Sequence, residues 1–248
     1  MDFILVNLEK VRNNGRMDYD FYNPNQRKIA DFVKKNYNSD FLGNLCLKIT
    51  TGKTAPRNSY PEEGIRIIKV KNTTGNGINW DKESFVNPYF FEKAKEKARV
   101  QERDILMLCS AHNKSYIGRC DIIDKFPRDV IKDNYRCCCV GELIIIRANS
   151  QKVIPEYLLT FLRLPIIQEE IIRMVKGQSA HLYPTELAKL RIVLPPRKTQ
   201  KKIAKLNTIA QKEFLEKIKK TKKELELRKR EIEKLILNRN MKLKKQKG

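Results

Sequence analysis

The chain has 248 residues and a formal net charge of +23, because 52 lysine and arginine residues stand against 29 aspartate and glutamate residues. That length fits one large domain or one domain with an appendage, and that charge favours a polyanionic partner, either nucleic acid or an anionic membrane. No segment approaches the roughly 20 apolar residues of a membrane-spanning helix and the first residues do not resemble a signal peptide, so we expect a cytoplasmic protein without a membrane partner.

The first 147 residues show the pattern of a short helix followed by a mainly β region. The helix is predicted from Asn23, a plausible N-cap, and from Pro24 at the first helical position. We interpret residues 1–40 as an N-terminal segment that belongs to the domain after it. Turn-rich stretches separate the candidate strands of that domain, which are LCLKIT, IRIIKVK, DILMLCS, IGRCDII and YRCCCVGELIIIR.

From Pro155 onward the hydrophobic period becomes helical. The segments PEYLLTFLR and PIIQEEIIRMVK each begin with proline, and Gly177 is the expected C-cap of the second. Another helical turn is expected in YPTELAKL, with Thr185 as its cap. A short strand at residues 191–194 then precedes two consecutive prolines. These patterns predict an α+β fold, in which a mixed, β-rich domain with short helices spans residues 41–196.

Residues 197–248 are predicted to form one long basic helix, on the order of 70 Å at 1.5 Å per residue. They carry 20 basic and 6 acidic side chains, hence +14 of the net charge. Apolar residues recur in an imperfect heptad pattern, which predicts a helical hairpin or an antiparallel coiled coil. The alternative is a solvated, partly frayed helix. The residues expected at the dimerisation seam are Phe214, Ile218, Leu225, Ile232 and Leu235.

Several motifs resemble catalytic signatures but lack the residues that the chemistry needs. The segment TTGKTAP has no first glycine for a phosphate-binding loop, and its proline disfavours the helix that should follow, so we interpret it as a turn. The segment NPYF is one proline short of the Asn-Pro-Pro-aromatic loop of amino-methyltransferases. The six cysteines form no CxxC pair and favour apolar packing over zinc. We therefore predict no catalytic residues, no metal site and no cofactor.

Four probable loops combine basic residues with amides and aromatic rings, a composition that suits DNA binding. Lysine and arginine contact phosphates, while Asn, Gln, Arg and Lys read base edges in the major groove. The loops are GKTAPRNSY, KVKNTTGNGINW, SAHNKSYIGR and KGQSAHLYP. Taken singly, each residue also fits an ordinary polar turn. The candidate DNA-binding residues are Lys53, Arg57, Lys71, Asn72, Asn76, Asn79, His112, Asn113, Lys114, Tyr116, Lys176, Gln178, His181 and Tyr183.

Several of these segments, in this order, resemble the specificity subunits of type I restriction-modification systems. They are TTGKTAP, GIRIIKV, ERDILMLCSAHNKSYIG, IPEYLLTFL, GQSAHLYPTELAKL and RIVLPPRKTQKKI, the last matching the family's Pro-Pro followed by a Gln-x-x-Ile helix start. The resemblance covers nearly the whole chain. It implies a non-catalytic subunit, whose target recognition domain binds double-stranded DNA and whose helix holds methyltransferase (M) subunits and, in the full assembly, restriction (R) subunits.

The usual member of that family carries two recognition domains and two helices, whereas this sequence has one of each. The resemblance therefore implies a half-length form that pairs with a second copy of itself through residues 197–248. Such a pair should read a gapped inverted repeat, since twofold symmetry in a protein is mirrored in its DNA site. Two other hypotheses stay open, a basic coiled-coil RNA-binding protein and a solo metal-dependent nuclease.

Overall fold

The chain divides into two compact units, Met1–Ala204 and Lys205–Gly248. Among the N-terminal residues, Leu8–Asn14 form helix α1. The helix predicted from Asn23 lies outside the described residues. The computed structural model describes residues 5–14, 37–57, 60–176 and 180–245.

The strands of the described residues form three sheets. A four-stranded antiparallel sheet has the order β2-β8-β5-β6, a second sheet has the order β4-β3-β7, and β1 pairs with β9. The second sheet is mixed, because β3 is antiparallel to β4 and parallel to β7. The strands are β1 (Ser39–Phe41), β2 (Cys46–Thr51), β3 (Ile65–Ile68), β4 (Phe85–Val86), β5 (Ile105–Leu108), β6 (Cys120–Ile122), β7 (Cys137–Cys139), β8 (Leu143–Ala148) and β9 (Arg191–Val193).

Short helices pack around these sheets, and one long helix follows them. This arrangement confirms the predicted α+β class with a long C-terminal helix, whereas the pairing of that helix stays a prediction. The helices after α1 are α2 (Leu42–Leu45), α3 (Pro88–Ala98), α4 (Arg128–Lys132), α5 (Pro155–Leu162), α6 (Pro165–Met174), α7 (Pro184–Leu187) and α8 (Arg197–Lys245).

The four-stranded sheet is buried on both faces. Along β8, Ile144 and Ile146 belong to one hydrophobic cluster, whereas Leu143 and Ile145 belong to another. Successive side chains of a strand point to opposite faces, so a strand buried on both faces becomes a continuous apolar run. The first cluster also contains the buried faces of α5 and α6, and the second contains those of α3 and β3.

The segment YRCCCVGELIIIR, expected to be one strand, forms two strands that belong to different sheets. β7 takes the three cysteines, all of them buried, and β8 begins at Leu143 after a turn at residues 140–142. The single-strand expectation was therefore wrong. The apolar run hides the break, because a turn of Val-Gly-Glu interrupts the hydrophobic pattern for only two residues. Burial raises the pKa of Cys138 to about 12, which keeps the thiol protonated at neutral pH.

Helix α3 was not expected, and it explains the NPYF segment. Asn87 is its N-cap, and the side-chain oxygen accepts a hydrogen bond of 2.7 Å from the backbone N–H of Phe90. Pro88 occupies the first helical position, where its missing N–H costs nothing. The buried face consists of Phe91, Ala94 and Ala98. The motif is thus a helix start, built from a cap and a proline.

Two predicted helix caps differ from the observed ones. Helix α6 ends at Met174 with Val175 as its C-cap, ahead of Gly177, which lies outside the described residues. Helix α7 has Tyr183 at the N-cap and Pro184 at the first position, so Thr185 is not the cap. Proline prefers that first position, and it displaces the cap by two residues toward the N-terminus.

The first two turns of α8 belong to the globular unit. Gln200 is buried, and its side chain accepts a hydrogen bond from the N–H of Ile154 (3.1 Å) and donates one to the carbonyl oxygen of Pro195 (3.0 Å). Ile203 packs against the first cluster, and Ala204 is buried in it. The Gln-x-x-Ile sequence after the two prolines therefore fastens the start of the helix to the domain.

Candidate nucleic-acid interface

Strand register brings several loops together at one edge of the sheets. β2 and β5 end where β8 begins, with Thr51 opposite Ile144 and Leu108 opposite Leu143. β3 and β7 end side by side because they are parallel. Residues 180–183 lie at the same edge, since the N–H of Leu182 donates to the carbonyl oxygen of Cys109 (2.9 Å). We call this region the loop edge, and its described residues are 52–57, 69–79, 109–119, 140–142, 176 and 180–183.

The 52–57 segment is a close-packed turn. A Cβ atom on Gly52 would lie 2.2 Å from the carbonyl oxygen of Cys139, so only glycine fits there. The Thr54 hydroxyl accepts from the N–H of Gly141 (2.9 Å) and donates to a carboxylate oxygen of Glu142 (2.8 Å). These contacts fix the turn against the 140–142 segment, while the side chains of Lys53 and Arg57 remain exposed.

Asn72 organises the 69–79 loop from inside. It is buried, its side-chain oxygen accepts from the N–H of Lys69 (2.8 Å), and its amide donates to the carbonyl oxygens of Asn79 (2.8 Å) and Lys82 (2.9 Å). All three bonds stay within the loop and its continuation. Asn72 was predicted to contact DNA, but its side chain shapes the loop and does not reach the surface.

A buried carboxylate attaches the tip of the same loop to β6. Asp121 is fully buried and accepts hydrogen bonds from the backbone N–H groups of Gly75 (2.9 Å) and Gly77 (2.7 Å). The Arg163 guanidinium donates to the same carboxylate at 2.7 Å. The ion pair thus compensates the buried charge, and the loop tip is held by groups outside the loop.

The 109–119 segment presents its polar residues on a short 3-10 turn, Lys114–Tyr116. The side-chain oxygen of Asn113 accepts from the N–H (2.9 Å) and the hydroxyl (2.8 Å) of Ser115, which caps that turn. His112, Lys114 and Tyr116 are exposed beside it. Asn113 therefore shapes the turn even though it is also at the surface.

Lys176 and residues 180–183 complete the described part of the loop edge. Lys176 and His181 exchange two backbone hydrogen bonds (2.8 and 2.9 Å), and the Lys176 ammonium lies 3.1 Å from the Glu186 carboxylate. The rings of His181 and Tyr183 are 6.3 Å apart. Gln178 lies outside the described residues. Glu186 already compensates part of the positive charge of Lys176.

Most of the sequence-predicted residues lie at the loop edge and reach its surface. Asn72 is the buried exception, and Gln178 is not described. The role of each residue in contacting DNA stays a prediction. The exposed ones are Lys53, Arg57, Lys71, His112, Asn113, Lys114, Tyr116 and Tyr183, and the half-buried ones are Asn76, Asn79, Lys176 and His181.

Two basic residues at the loop edge were missed by the sequence analysis. Lys69 places its ammonium 3.4 Å from the centre of the Tyr60 ring, and burial, followed by the repulsion of Lys71, lowers its pKa. Arg119 lies over the ring of Tyr116. Lys69 lies in IRIIKVK and Arg119 in IGRCDII, which were both predicted to be strands. Only their contacts with aromatic rings identify them as part of the surface.

The other end of β3 has the opposite charge. Glu62, Glu83, Asp129 and Asp133 are among the residues that line a cleft there. Arg66 is buried at this cleft and forms ion pairs with Glu83 and Asp129. Acidic side chains outnumber basic ones around this cleft, which disfavours it as the face that approaches a polyanion.

Within the described ranges, no group of three or more His, Cys, Asp or Glu side chains is arranged to hold a metal ion. The described helices also include none that is both long and apolar enough to cross a membrane.

The sequence matches the family described as the type I restriction modification DNA specificity domain over residues 34–227. No curated protein matches the chain significantly. A solved structure from work on the assembly and conformational transition of the type I R-M system is 19% identical, with a TM-score of 0.52 over 83% of this chain and 49% of its own. The HsdS subunit from Thermoanaerobacter tengcongensis is 17% identical, with a TM-score of 0.49 over 82% of this chain and 47% of its own. The chain thus spans about half the length of these structures, and the first of them shows the shared fold.

Proposed function

Because this chain belongs to the family of type I restriction-modification DNA specificity domains, we propose that it is the DNA-reading subunit of such a system. In this role it performs no chemistry itself. It binds double-stranded DNA through the loop edge and brings methyltransferase subunits, and restriction subunits where they are present, to the site in the cytoplasm.

The observation that carries the proposal is the convergence of separate loops at one edge. Four stretches of chain that are far apart in sequence have basic, amide or aromatic side chains there, and the buried side chains of Asp121 and Asn72 fix the backbone of one of them, the 69–79 loop. Lysine and arginine supply the salt-dependent attraction to phosphates, and fixed polar side chains supply base contacts. A basic surface that also presents polar side chains at fixed positions suits sequence-specific DNA recognition.

The test compares duplex DNA with structured RNA of equal length at fixed salt. The full chain should bind DNA more tightly, and a Lys53→Ala, Lys71→Ala double variant should reduce the slope of log K against log salt by about 0.9 per lysine that contacts a phosphate. The matched control is Lys93→Ala, Lys97→Ala, two exposed lysines on α3. Tighter binding of RNA would contradict the proposal and support the RNA-binding alternative. Equal losses in the two variants would contradict the loop edge as the binding surface.

We also propose that two copies pair through α8 and read a gapped inverted repeat. The predicted seam supports this proposal, since Phe214, Leu225, Ile232 and Leu235 are 47–70% exposed in the single chain. A helix with such an apolar stripe is stabilised when a partner covers it. Two copies that meet through α8 would be related by a twofold axis, as an inverted repeat in DNA requires.

Light scattering at micromolar concentration should show a dimer, and Leu225→Asp should convert it to a monomer. Leu227→Asp is the matched control, because Leu227 is as exposed as Leu225 (51% against 52%) but lies outside the heptad seam. A monomeric wild type, or equal effects of the two substitutions, would contradict self-pairing.

Partner binding has its own test in the host. A methyltransferase should co-purify with the tagged chain, and the methylated sites that depend on this chain should form a gapped palindrome. An ungapped or strongly asymmetric motif would contradict the paired arrangement. Metal-dependent cleavage of DNA by the purified chain alone would instead support the nuclease alternative.

A further inference from the structure

Arg119 occupies an unusual position at the loop edge. It is half-buried immediately before β6, and its guanidinium carbon lies 5.3 Å from the centre of the exposed Tyr116 ring. On the other side, a Cβ atom on Gly75 would lie 3.3 Å from Cδ of Arg119. The stem of this side chain is therefore confined between a tyrosine ring and the backbone of a neighbouring loop.

Its hydrogen bonding sets Arg119 apart from the comparable arginines of the described chain. Its Nε is buried and is the one buried side-chain nitrogen or oxygen there without a hydrogen-bond partner. Each of the other buried or half-buried arginines donates a hydrogen bond to a side-chain oxygen. These others, with their partners, are Arg66 (Asp129), Arg136 (Asp133), Arg147 (Asp104), Arg163 (Asp121), Arg173 (Glu170) and Arg191 (Ser39).

Folding alone does not account for an arginine in this state. Its terminal nitrogens donate to no described residue and are not among the buried atoms, so they are available to an external acceptor. The fold nevertheless holds Arg119 firmly, because its backbone carbonyl accepts from the N–H of Leu108 (2.8 Å) and its N–H donates to Tyr116 (3.2 Å). The Gly75 loop beside it is tied down by Asp121.

Such a confined guanidinium suits the edge of a base better than a phosphate. Its planar fork matches two acceptors in one plane, and the O6 and N7 atoms of guanine in the major groove are such a pair. Because the side chain is already ordered, binding loses less conformational freedom. Phosphate contacts have no need of this order, and the exposed ammonium group of Lys53 is available for them.

We propose that Arg119, held between Tyr116 and Gly75, reads a guanine in the DNA site. This inference rests on the proposed function and adds to it the residue and the base. Arg119 thus determines specificity at one G·C pair for each copy of the chain, while the surrounding lysines determine affinity.

Selection of binding sites from a randomised duplex library by the full chain tests this proposal. Arg119→Gln should abolish the preference for guanine at one position of each half-site, a change of roughly 5- to 150-fold in discrimination, and should leave the other positions unchanged. Because Arg119 has no protein acceptor to lose, the variant should fold. Arg128→Gln, an exposed arginine on α4, is the matched control and should select the wild-type motif.

The tyrosine provides a second, independent variant pair. Tyr116→Phe retains the ring that orders Arg119 and should select the wild-type motif, whereas Tyr116→Ala should relax the same guanine position. Selection of the wild-type motif by Arg119→Gln, with or without a uniform loss of affinity, would overturn the proposal, since a phosphate contact weakens binding to all sequences equally. If the wild-type chain selects no motif at all, the proposed function fails, and the guanine contact fails with it.

Discussion

Asp121→Asn should destabilise the domain and loosen the loop edge at the same time. The carboxylate is fully buried and accepts from Gly75, Gly77 and Arg163. An asparagine offers one acceptor oxygen where the carboxylate offers two, and it leaves the Arg163 guanidinium, 19% exposed, without its counter-charge. Breaking a buried ion pair on one side costs about 3–5 kcal/mol, which corresponds to a fall in Tm of roughly 6–20 °C for a domain of this size.

The assay combines chemical unfolding with backbone hydrogen exchange. Asp121→Asn should lower the free energy of unfolding by that amount and accelerate exchange of the Gly75 and Gly77 amides. Asp104→Asn is the matched control, since Asp104 is equally buried and pairs with Arg147 at 2.8 Å through both oxygens, away from the loop edge. A loss below about 1 kcal/mol, or equal exchange at residues 72–79 in the two variants, would refute this account of the loop.

Three further substitutions test single features of the fold. Gln200→Ala removes two buried hydrogen bonds at the start of α8, and the free energy of unfolding in urea should fall by about 1–3 kcal/mol; an unchanged value would contradict the fastening role. Gly52→Ala forces a Cβ to within 2.2 Å of the Cys139 carbonyl oxygen, so the thermal midpoint should fall by several degrees, and an unchanged midpoint would show that the turn is not close-packed. Burial raises the pKa of Cys120 from 9.0 to about 12, which means that the folded state binds this proton more tightly and loses stability as pH rises between those values. Under reducing conditions, the free energy of unfolding of Cys120→Ala should fall less steeply with pH than that of the wild type, by about 1.4 kcal/mol per pH unit. Equal slopes in the two proteins would contradict the raised pKa.

Local patterns predict the elements that depend on short-range signals. The strand LIIIR and the proline-initiated helices α5 and α6 follow from hydrophobic runs and from prolines at first helical positions. Helix α3 escapes the same reasoning because two alanines and one phenylalanine form its buried face, which is a weak apolar signal. The break between β7 and β8 also escapes it, because the choice between one strand and two is made by pairing with β3 and β5.

The sequence predicts which loops form the candidate site, but it does not predict how their residues are placed relative to one another. Basic and amide residues identify the loops, and turn chemistry suggests that they are exposed. The attachment of Gly75 to Asp121, 46 residues away, has no local signature. The burial of Asn72 and the confinement of Arg119 likewise depend on neighbours that the fold supplies. Sequence therefore indicates which residues are at the surface more reliably than it separates those that shape a loop from those that face a ligand.

Under the proposed function, the attachment of the 69–79 loop has a consequence for how the DNA target can change. Asp121 holds the loop through backbone N–H groups, which every residue except proline possesses. Gly75 and Gly77 have φ values of +82° and +121°, at which other residues are strained, whereas Asn76 between them does not have a positive φ. If the loop reads DNA as proposed, mutations at this position alter the base preference while the anchor to Asp121 persists. In that role, a single substitution changes the target and leaves the scaffold intact.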